Sequence, residues 1–113
     1  MVVECALPRS PPLVSLIVLT CNRPLFLAEA LRAAASQTYR PLEAIVVDDG
    51  PHAIRPEAIK GYGVAARLVR LHKRASIGAK RNAGLRSARG AVILHWDDGV
   101  PGAARICDSR RLV

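Results

Sequence analysis

The sequence predicts an α/β protein with a mainly parallel sheet of about four strands and helices on its faces. The first observation behind this prediction is that strand-like and helix-like segments alternate along the 113 residues, beginning and ending with a strand. Such alternation favours right-handed βαβ units. The second is that the first two strand-like segments are apolar at nearly every position, as expected of strands covered on both faces. A chain of this length accommodates one small domain.

The first half of the chain supplies two predicted strands and a helix. Residues 14–20 (VSLIVLT) form the first predicted strand, and residues 42–50 (LEAIVVDDG) form the second. Residues 24–37 between them predict a helix, because Pro24 suits a first helical turn and apolar residues recur at helical spacing. The residues of this apolar stripe are Leu27, Ala30, Leu31 and Ala34.

The second half repeats the pattern with shorter and more polar segments. Residues 55–63 predict a short helix with a glycine at its end, and residues 66–73 predict a third strand. Residues 76–90 predict a helix with a serine cap at its start and a glycine stop at its end. Residues 91–96 predict the fourth strand. Residues 1–12, which end in three prolines among five residues, predict an extended tail.

The charge of the chain favours anionic partners. Seventeen basic and nine acidic residues give a net charge of +8, which attracts nucleotides, diphosphates, nucleic acid or anionic membranes. Residues 60–90 hold nine of the basic residues and no acidic one, and most of these are expected to form a solvated face. Nucleic acid is not the predicted partner, because the chain has neither stacking aromatics nor a known basic module.

Other features of the composition exclude several classes of protein. The three cysteines, Cys5, Cys21 and Cys107, are odd in number and widely spaced, so they support neither a zinc ribbon nor a disulfide framework. No apolar run approaches the roughly 20 residues that span a bilayer, and the first 12 residues lack the pattern of a signal peptide. We therefore expect a cytoplasmic protein with reduced thiols, at most peripheral to a membrane.

Polar residues follow three of the predicted strands. Residues 20–23 come after the first strand, Asp48 and Asp49 end the second, and Asp97 and Asp98 follow the fourth. Ligands of open α/β sheets bind beyond the carboxyl ends of the strands, so these clusters predict one site. Four carboxylates repel one another unless a positive group lies between them, and a divalent metal with a phosphorylated ligand would provide it. The alternative is that each Asp-Asp-Gly sequence only forms a turn.

Arg81 is a further candidate, because a helical wheel places it inside an apolar stripe. The predicted stripe comprises Ile77, Gly84, Leu85 and Ala88. A guanidinium in such a stripe is costly without a partner, so Arg81 is expected to meet a phosphate or one of the carboxylates Asp48, Asp49 and Asp97. The alternative is a structural ion pair. Lys80 and Asn82, which flank it, are weaker candidates.

Several motifs follow one another along the chain. The segments VSLIVLTCNRP, SQTY and VVDDG are followed by IGAKRNAGLRSARG and AVILHWDD. These motifs and their order resemble those of glycosyltransferase family 2, which has the GT-A fold. The usual forms in that family are TYNRP, SQTY, VVDDGS and GxxxARNxGLxxARGEYIxFLDDDD. The resemblance covers residues 13–98 and implies the Rossmann-like, nucleotide-sugar-binding half of the GT-A fold. It also implies transfer of a sugar from a nucleotide-diphosphate sugar, usually with inversion, with Mg²⁺ or Mn²⁺ as cofactor.

The resemblance implies roles for individual residues. Asp49 would accept a hydrogen bond from the base, typically uracil, which makes a UDP-linked sugar the expected donor. Arg81 would face the diphosphate, Asp97 would touch the ribose, and Asp98 would hold the metal. The nucleotide-sugar site implied in this way comprises Thr20, Asn22, Arg23, Asp48, Asp49, Arg81 and Asp97.

The chain departs from the family pattern at three positions. Cys21 replaces the usual aromatic residue, Pro51 replaces a serine, and Gly99 replaces the third aspartate of the last motif. Residues 99–113 form a divergent tail in which no motif identifies a catalytic base. The expectation is therefore a partial donor-binding domain, inactive on its own, with an unknown acceptor. The alternative is a truncated, non-catalytic remnant that at most binds a nucleotide.

Overall fold

A four-stranded, fully parallel sheet forms the centre of the protein, in the strand order β3-β2-β1-β4. The computed structural model describes residues 12–97. The strands are β1 (Val14–Thr20), β2 (Leu42–Asp48), β3 (Ala65–Arg70) and β4 (Val92–Asp97). The predicted α/β class and the number of strands are confirmed. The predictions for residues 1–11 and 98–113 lie outside the described residues.

Two α-helices and one short 3-10 helix connect the strands. Helix α1 spans Pro24–Ser36, the 3-10 helix spans Pro56–Ile59, and helix α2 spans Ile77–Ser87. Pro24 starts α1, as predicted. The hydroxyl of Ser76 caps α2 by accepting a hydrogen bond of 3.1 Å from the Ala79 N–H, which satisfies one of the free donors at a helix start.

Gly90 does not end α2, in contrast to the prediction. The helix ends three residues earlier at Ser87, and Ala88 follows in extended conformation. A glycine is required at position 90 because the chain there touches β1: an added Cβ would lie 2.6 Å from Ser15 Oγ. The Gly90 N–H donates to the same oxygen at 2.7 Å, so this glycine allows a close approach between two backbones.

Alternate side chains of the central strands point to two different helices, which gives three layers. The residues of β1 and β2 are buried at every position, because helices cover both faces of the sheet. The cluster on the α1 face includes Val14, Leu16, Val18, Ala44, Val46, Leu27, Leu31 and Trp96. The cluster on the α2 face consists of Ile17, Leu19, Ile45, Val47 and Ala83. No helix within the described residues is long and apolar enough to cross a bilayer.

A buried glutamate ties the amino end of the sheet to the end of α2. Glu43 accepts hydrogen bonds from the Ser15 hydroxyl, from Arg67 Nη2 at 2.9 Å and from the Arg89 N–H at 2.8 Å. Arg67 also donates to the Ser87 carbonyl. Burial raises the pKa of the Glu43 carboxyl, but these donors outweigh burial and hold the pKa below its ordinary value. The network therefore joins four elements, β1, β2, β3 and α2, and each carboxylate oxygen of Glu43 has a donor.

Candidate functional site

The parallel register brings the polar strand ends to one edge of the sheet, as predicted. Thr20 at the end of β1 lies opposite Asp48 at the end of β2, and Asp48 lies opposite Arg70 at the end of β3. On the other side of β1, Asp97 of β4 lies opposite Leu19. We call this row of strand ends the carboxyl edge.

Asp48 is fully buried and holds the loop that follows β2. Its Oδ1 accepts from the Gly50 N–H at 2.9 Å, and its Oδ2 accepts from the Ile54 N–H at 3.1 Å. Arg70 Nη1 lies 2.9 Å from the same Oδ2. Both carboxylate oxygens are therefore engaged inside the protein, and the role that this geometry supports for Asp48 is to shape the loop of residues 49–54.

Asp49 is buried as well, but its two oxygens differ. Its Oδ2 accepts from the Ala75 N–H at 2.9 Å, whereas its Oδ1 lies 2.9 Å from Lys80 Nζ. This second contact is an ion pair whose direction does not satisfy hydrogen-bond geometry, since Oδ1 has no hydrogen-bond partner among the described residues. Burial raises the pKa of this carboxyl, but the Ala75 N–H, the Lys80 ammonium and the Cys21 thiol outweigh burial and keep the pKa below its ordinary value. Asp49 is thus a buried anion whose Oδ1 faces the Lys80 ammonium and accepts no well-aligned hydrogen bond from the described residues.

Lys80, and not Arg81, is the buried cation of α2. Lys80 is 8% exposed, and its Nζ lies 2.9 Å from Asp49 and 3.4 Å from the Thr20 carbonyl. Arg81 is exposed and makes no ion pair within residues 12–97. The prediction that Arg81 lies in the buried stripe was wrong, whereas its proposed contact with a diphosphate stays a prediction.

The buried face of α2 was predicted wrongly because the large apolar side chains of Ile77 and Leu85 were taken to mark it. Ile77 and Leu85 are 60% and 42% exposed, and α2 instead faces the sheet with Lys80, Ala83 and Gly84. Helix and sheet approach so closely that a Cβ at Gly84 would lie 2.6 Å from Ile17 Cγ2. Only small residues fit there. The adjacent Ala83 and Gly84, one turn after Lys80, were the sequence signal for the correct face.

Protein side chains balance part of the charge of the carboxyl edge. Arg70 neutralises Asp48 and Lys80 neutralises Asp49, so these two carboxylates have protein cations as partners, whereas the divalent metal stays a prediction. Within residues 12–97, no three side chains of metal-ligating types come together. The predicted metal ligand Asp98 lies outside the described residues. Asp97 is the last residue of β4, and its side chain is not among those that the structure describes.

Three buried polar atoms of the described residues have no hydrogen-bond partner, and each belongs to a residue at or next to the carboxyl end of a strand. They are Thr20 Oγ1, Asp49 Oδ1 and Trp96 Nε1. They stand at the last residue of β1, directly after β2, and one residue before the end of β4. Because buried polar groups in folded proteins are nearly always paired, this grouping marks the edge as a place where a further partner is expected.

The loop after β1 opens into a cavity on the α1 side of the sheet. Asn22, at a φ of +55°, and Arg23 line this cavity of about 480 Å³ together with His52, Arg55 and residues of α1. The Arg23 guanidinium lies 5.6 Å from the centre of the Phe26 ring. Cys21 is half-buried with a free thiol. The loop therefore brings Asn22 and Arg23, two of the predicted site residues, to a pocket beside the carboxyl edge.

Comparison with known proteins identifies the family and the fold of this chain. Residues 15–98 match the family described as glycosyl transferase family 2. An uncharacterized glycosyltransferase, YwdF of Bacillus subtilis, is 32% identical over 85 residues, which cover 75% of this chain and 32% of the relative. The mannosyltransferase PcManGT of Pyrobaculum calidifontis, solved in complex with GDP-Man and Mn²⁺, superimposes with a TM-score of 0.73 at 28% identity over 87% of this chain. S. aureus TarS (residues 1–349) superimposes with a TM-score of 0.67 at 27% identity over 75% of this chain.

The chain corresponds to one part of these larger proteins, since it spans 32% of YwdF, 30% of PcManGT and 27% of TarS. The family match at residues 15–98 covers β2, β3, β4 and all but the first residue of β1. On the family match to most of the chain and on the shared GT-A-like fold, this chain belongs to glycosyltransferase family 2.

Proposed function

We propose that this chain binds a nucleotide-diphosphate sugar at its carboxyl edge and acts as the donor-binding part of an inverting glycosyltransferase. The observation that carries the proposal is the set of three unpaired buried polar atoms at that edge. Asp49 is central among them, because its ionised carboxylate keeps one oxygen without a hydrogen bond. The ring N–H of uracil or guanine is a donor that such an oxygen accepts.

The other site residues have complementary roles in this proposal. Thr20 and Asn22 line the nucleotide pocket with Arg23, whose guanidinium supplies a positive charge. Arg81 is exposed on the second turn of α2, where its side chain is free to meet the diphosphate. Lys80 is engaged with Asp49 and keeps that carboxylate charged, so it acts on the nucleotide through Asp49.

The metal of the proposed site is Mg²⁺ or Mn²⁺. Only some of the carboxylates near the carboxyl edge are available to hold it. Asp48 and Asp49 are already held by protein cations, which leaves Asp97 and Asp98 as the carboxylates for this role. Asp98 would hold the metal while Asp97 contacts the ribose. Carboxylate oxygens are the ligands that these hard cations prefer. When bound, the metal neutralises charge on the departing diphosphate.

A binding experiment tests the proposal directly. UDP with Mn²⁺ is expected to raise the melting temperature of the protein, and GDP with Mn²⁺ is the comparison that tests the base, because PcManGT was solved with GDP-Man. Asp49→Asn is expected to abolish the shift, since it removes the charge while preserving the shape. Glu29→Gln, an equal charge change at an exposed position of α1, is expected to leave the shift intact. Absence of a shift with every nucleoside diphosphate would contradict the proposal.

A second measurement separates an enzyme from a non-catalytic nucleotide-binding protein. Release of nucleoside diphosphate from a sugar donor reports turnover, with or without an added acceptor. Turnover that requires Mn²⁺ and Asp49 supports the transferase. Binding without turnover supports the non-catalytic alternative.

A further inference from the structure

A second groove lies on the α2 face of the sheet, between the loop that follows β3 and helix α2. It has a volume of about 480 Å³. Its floor is apolar and small, formed by Leu71, Ala75 and Ala83 among others. It is separate from the cavity beside Asn22 and Arg23, since no residue lines both. We call it the β3–α2 groove.

Four basic residues line this groove, namely His72, Lys73, Arg74 and Arg86. Asn82 also lines it, and no acidic residue is among its described lining. Lys73 and Arg86 are exposed and form no ion pair within residues 12–97. Arg74 lies 3.6 Å from Asp49 and is shared with the carboxyl edge. Two positive charges thus remain uncompensated at the mouth of one concave surface.

Positive charges that line one groove attract anions to it. Like charges that share a groove repel one another, and low-dielectric walls focus their field on whatever anion enters. The Asn82 amide adds neutral donors beside the cations. Phosphate oxygens match such a set, because they accept several charge-assisted hydrogen bonds at once.

We propose that the β3–α2 groove is a second anion site, which binds a phosphate or diphosphate group independently of the nucleotide-sugar site. Lys73 and Arg86 supply the charge, and Asn82 supplies further hydrogen-bond donors. The phosphate group is carried by a small soluble molecule or by the headgroup of an anionic lipid. Both sources present the same chemistry to the groove.

The test uses inorganic pyrophosphate in EDTA, so that no divalent metal supports the nucleotide-sugar site. Backbone amide shifts in a heteronuclear NMR titration are expected to move at Ala79, Asn82 and Arg86, and not at Asn22 or Arg23. Lys73→Glu and Arg86→Glu are each expected to weaken binding at least about tenfold, as loss of a charge-assisted contact does. Asp49→Asn is expected not to weaken pyrophosphate binding, because it removes a carboxylate that lies 3.6 Å from Arg74 of the groove, whereas it is expected to abolish the nucleotide shift; this difference separates the two proposals.

Matched controls separate a local site from general attraction to a basic protein. Lys60→Glu and Arg32→Glu make the same charge changes at exposed positions outside the groove, and each is expected to weaken binding less than about twofold, because a charge outside the groove is screened by salt. Equal losses in the groove and control variants would overturn the proposal. So would shifts confined to the carboxyl edge.

A vesicle experiment distinguishes the two sources of phosphate. Co-sedimentation with vesicles of phosphatidylcholine alone is compared with vesicles that also contain phosphatidylglycerol. Binding to the anionic vesicles that Lys73→Glu and Arg86→Glu abolish, and Lys60→Glu preserves, assigns the groove to a lipid headgroup. Pyrophosphate binding without vesicle binding assigns it to a soluble phosphate. Failure of both pyrophosphate and vesicles to bind the groove overturns the proposal.

Discussion

Two buried carboxylates stand at opposite ends of β2, and their surroundings differ in one respect. Glu43, at the amino end, has both oxygens filled by donors from β1, β3 and the chain after α2. Asp49, directly after the carboxyl end, has one oxygen filled and one without a hydrogen bond. Both have a lowered pKa, because donors and cations outweigh burial in each case.

The difference separates a structural network from a candidate binding site. A buried acceptor without a partner lowers stability, and a fully paired network does not carry this cost. Among the described residues, the unpaired polar atoms therefore lie near the edge where we propose that the donor binds, whereas the Glu43 network at the other edge is fully paired. Helix α2 links the two regions, since Lys80 faces one and the residues after its end contact the other.

The largest loss of stability is expected from Glu43→Ala, because it removes the carboxylate that accepts three hydrogen bonds in the Glu43 network. The Ser15 hydroxyl, the Arg67 guanidinium and the Arg89 N–H would each lose an acceptor. Removing one partner of a buried pair costs about 3 kcal/mol, which urea denaturation at pH 7 measures. Glu29→Ala, at an exposed position of α1, is expected to change stability by less than about 0.5 kcal/mol. A loss below about 1 kcal/mol for Glu43→Ala would show that the network contributes little.

Helix α2 links the Glu43 network to the carboxyl edge. Substitutions at two glycines of this helix test how it packs against the sheet. Gly84→Ala places a Cβ 2.6 Å from Ile17 Cγ2 in the buried core, and such overpacking costs about 1–3 kcal/mol. At Gly78, the nearest atom to an added Cβ is 4.0 Å away. Gly78→Ala is therefore expected to stabilise the protein by about 0.5–1 kcal/mol through helix propensity. Thermal and urea unfolding of both variants check the opposite signs, and a shared sign would contradict the packing of α2.

A smaller loss of stability than for Glu43→Ala is expected at the carboxyl edge, where Lys80→Met is compared with Arg81→Met. Lys80→Met leaves the buried Asp49 with the Ala75 N–H, the Cys21 thiol and the exposed Arg74 at 3.6 Å, and we expect a loss of about 1–2 kcal/mol. Arg81→Met alters an exposed side chain and is expected to change stability by less than about 0.5 kcal/mol. Denaturation curves at pH 7 measure both, and a larger loss for Arg81→Met would reverse the assignment of the buried face.

Most of the architecture could be predicted because local patterns encode it. The continuous apolar run of residues 14–20 matched β1 to the residue, and the helical spacing of Leu27, Ala30, Leu31 and Ala34 matched the buried face of α1. The order of strands and helices then placed the polar clusters at one edge, which the register confirms for Thr20 and Asp48. The Glu43 network was not predicted, although a glutamate within an apolar strand was a visible signal for a buried ion pair.

The sequence by itself determined the fold, the family and the edge at which polar residues gather, because periodicity and motif order are properties of the chain alone. The tertiary structure decided which cation meets which carboxylate. Successive residues of a helix point about 100° apart, so the close packing of Ala83 and Gly84 against Ile17 turns Lys80 inward and Arg81 outward. Likewise, only the folded chain distinguishes Asp48, both of whose oxygens accept hydrogen bonds, from Asp49, whose Oδ1 has an ion pair with Lys80 but no hydrogen bond among the described residues.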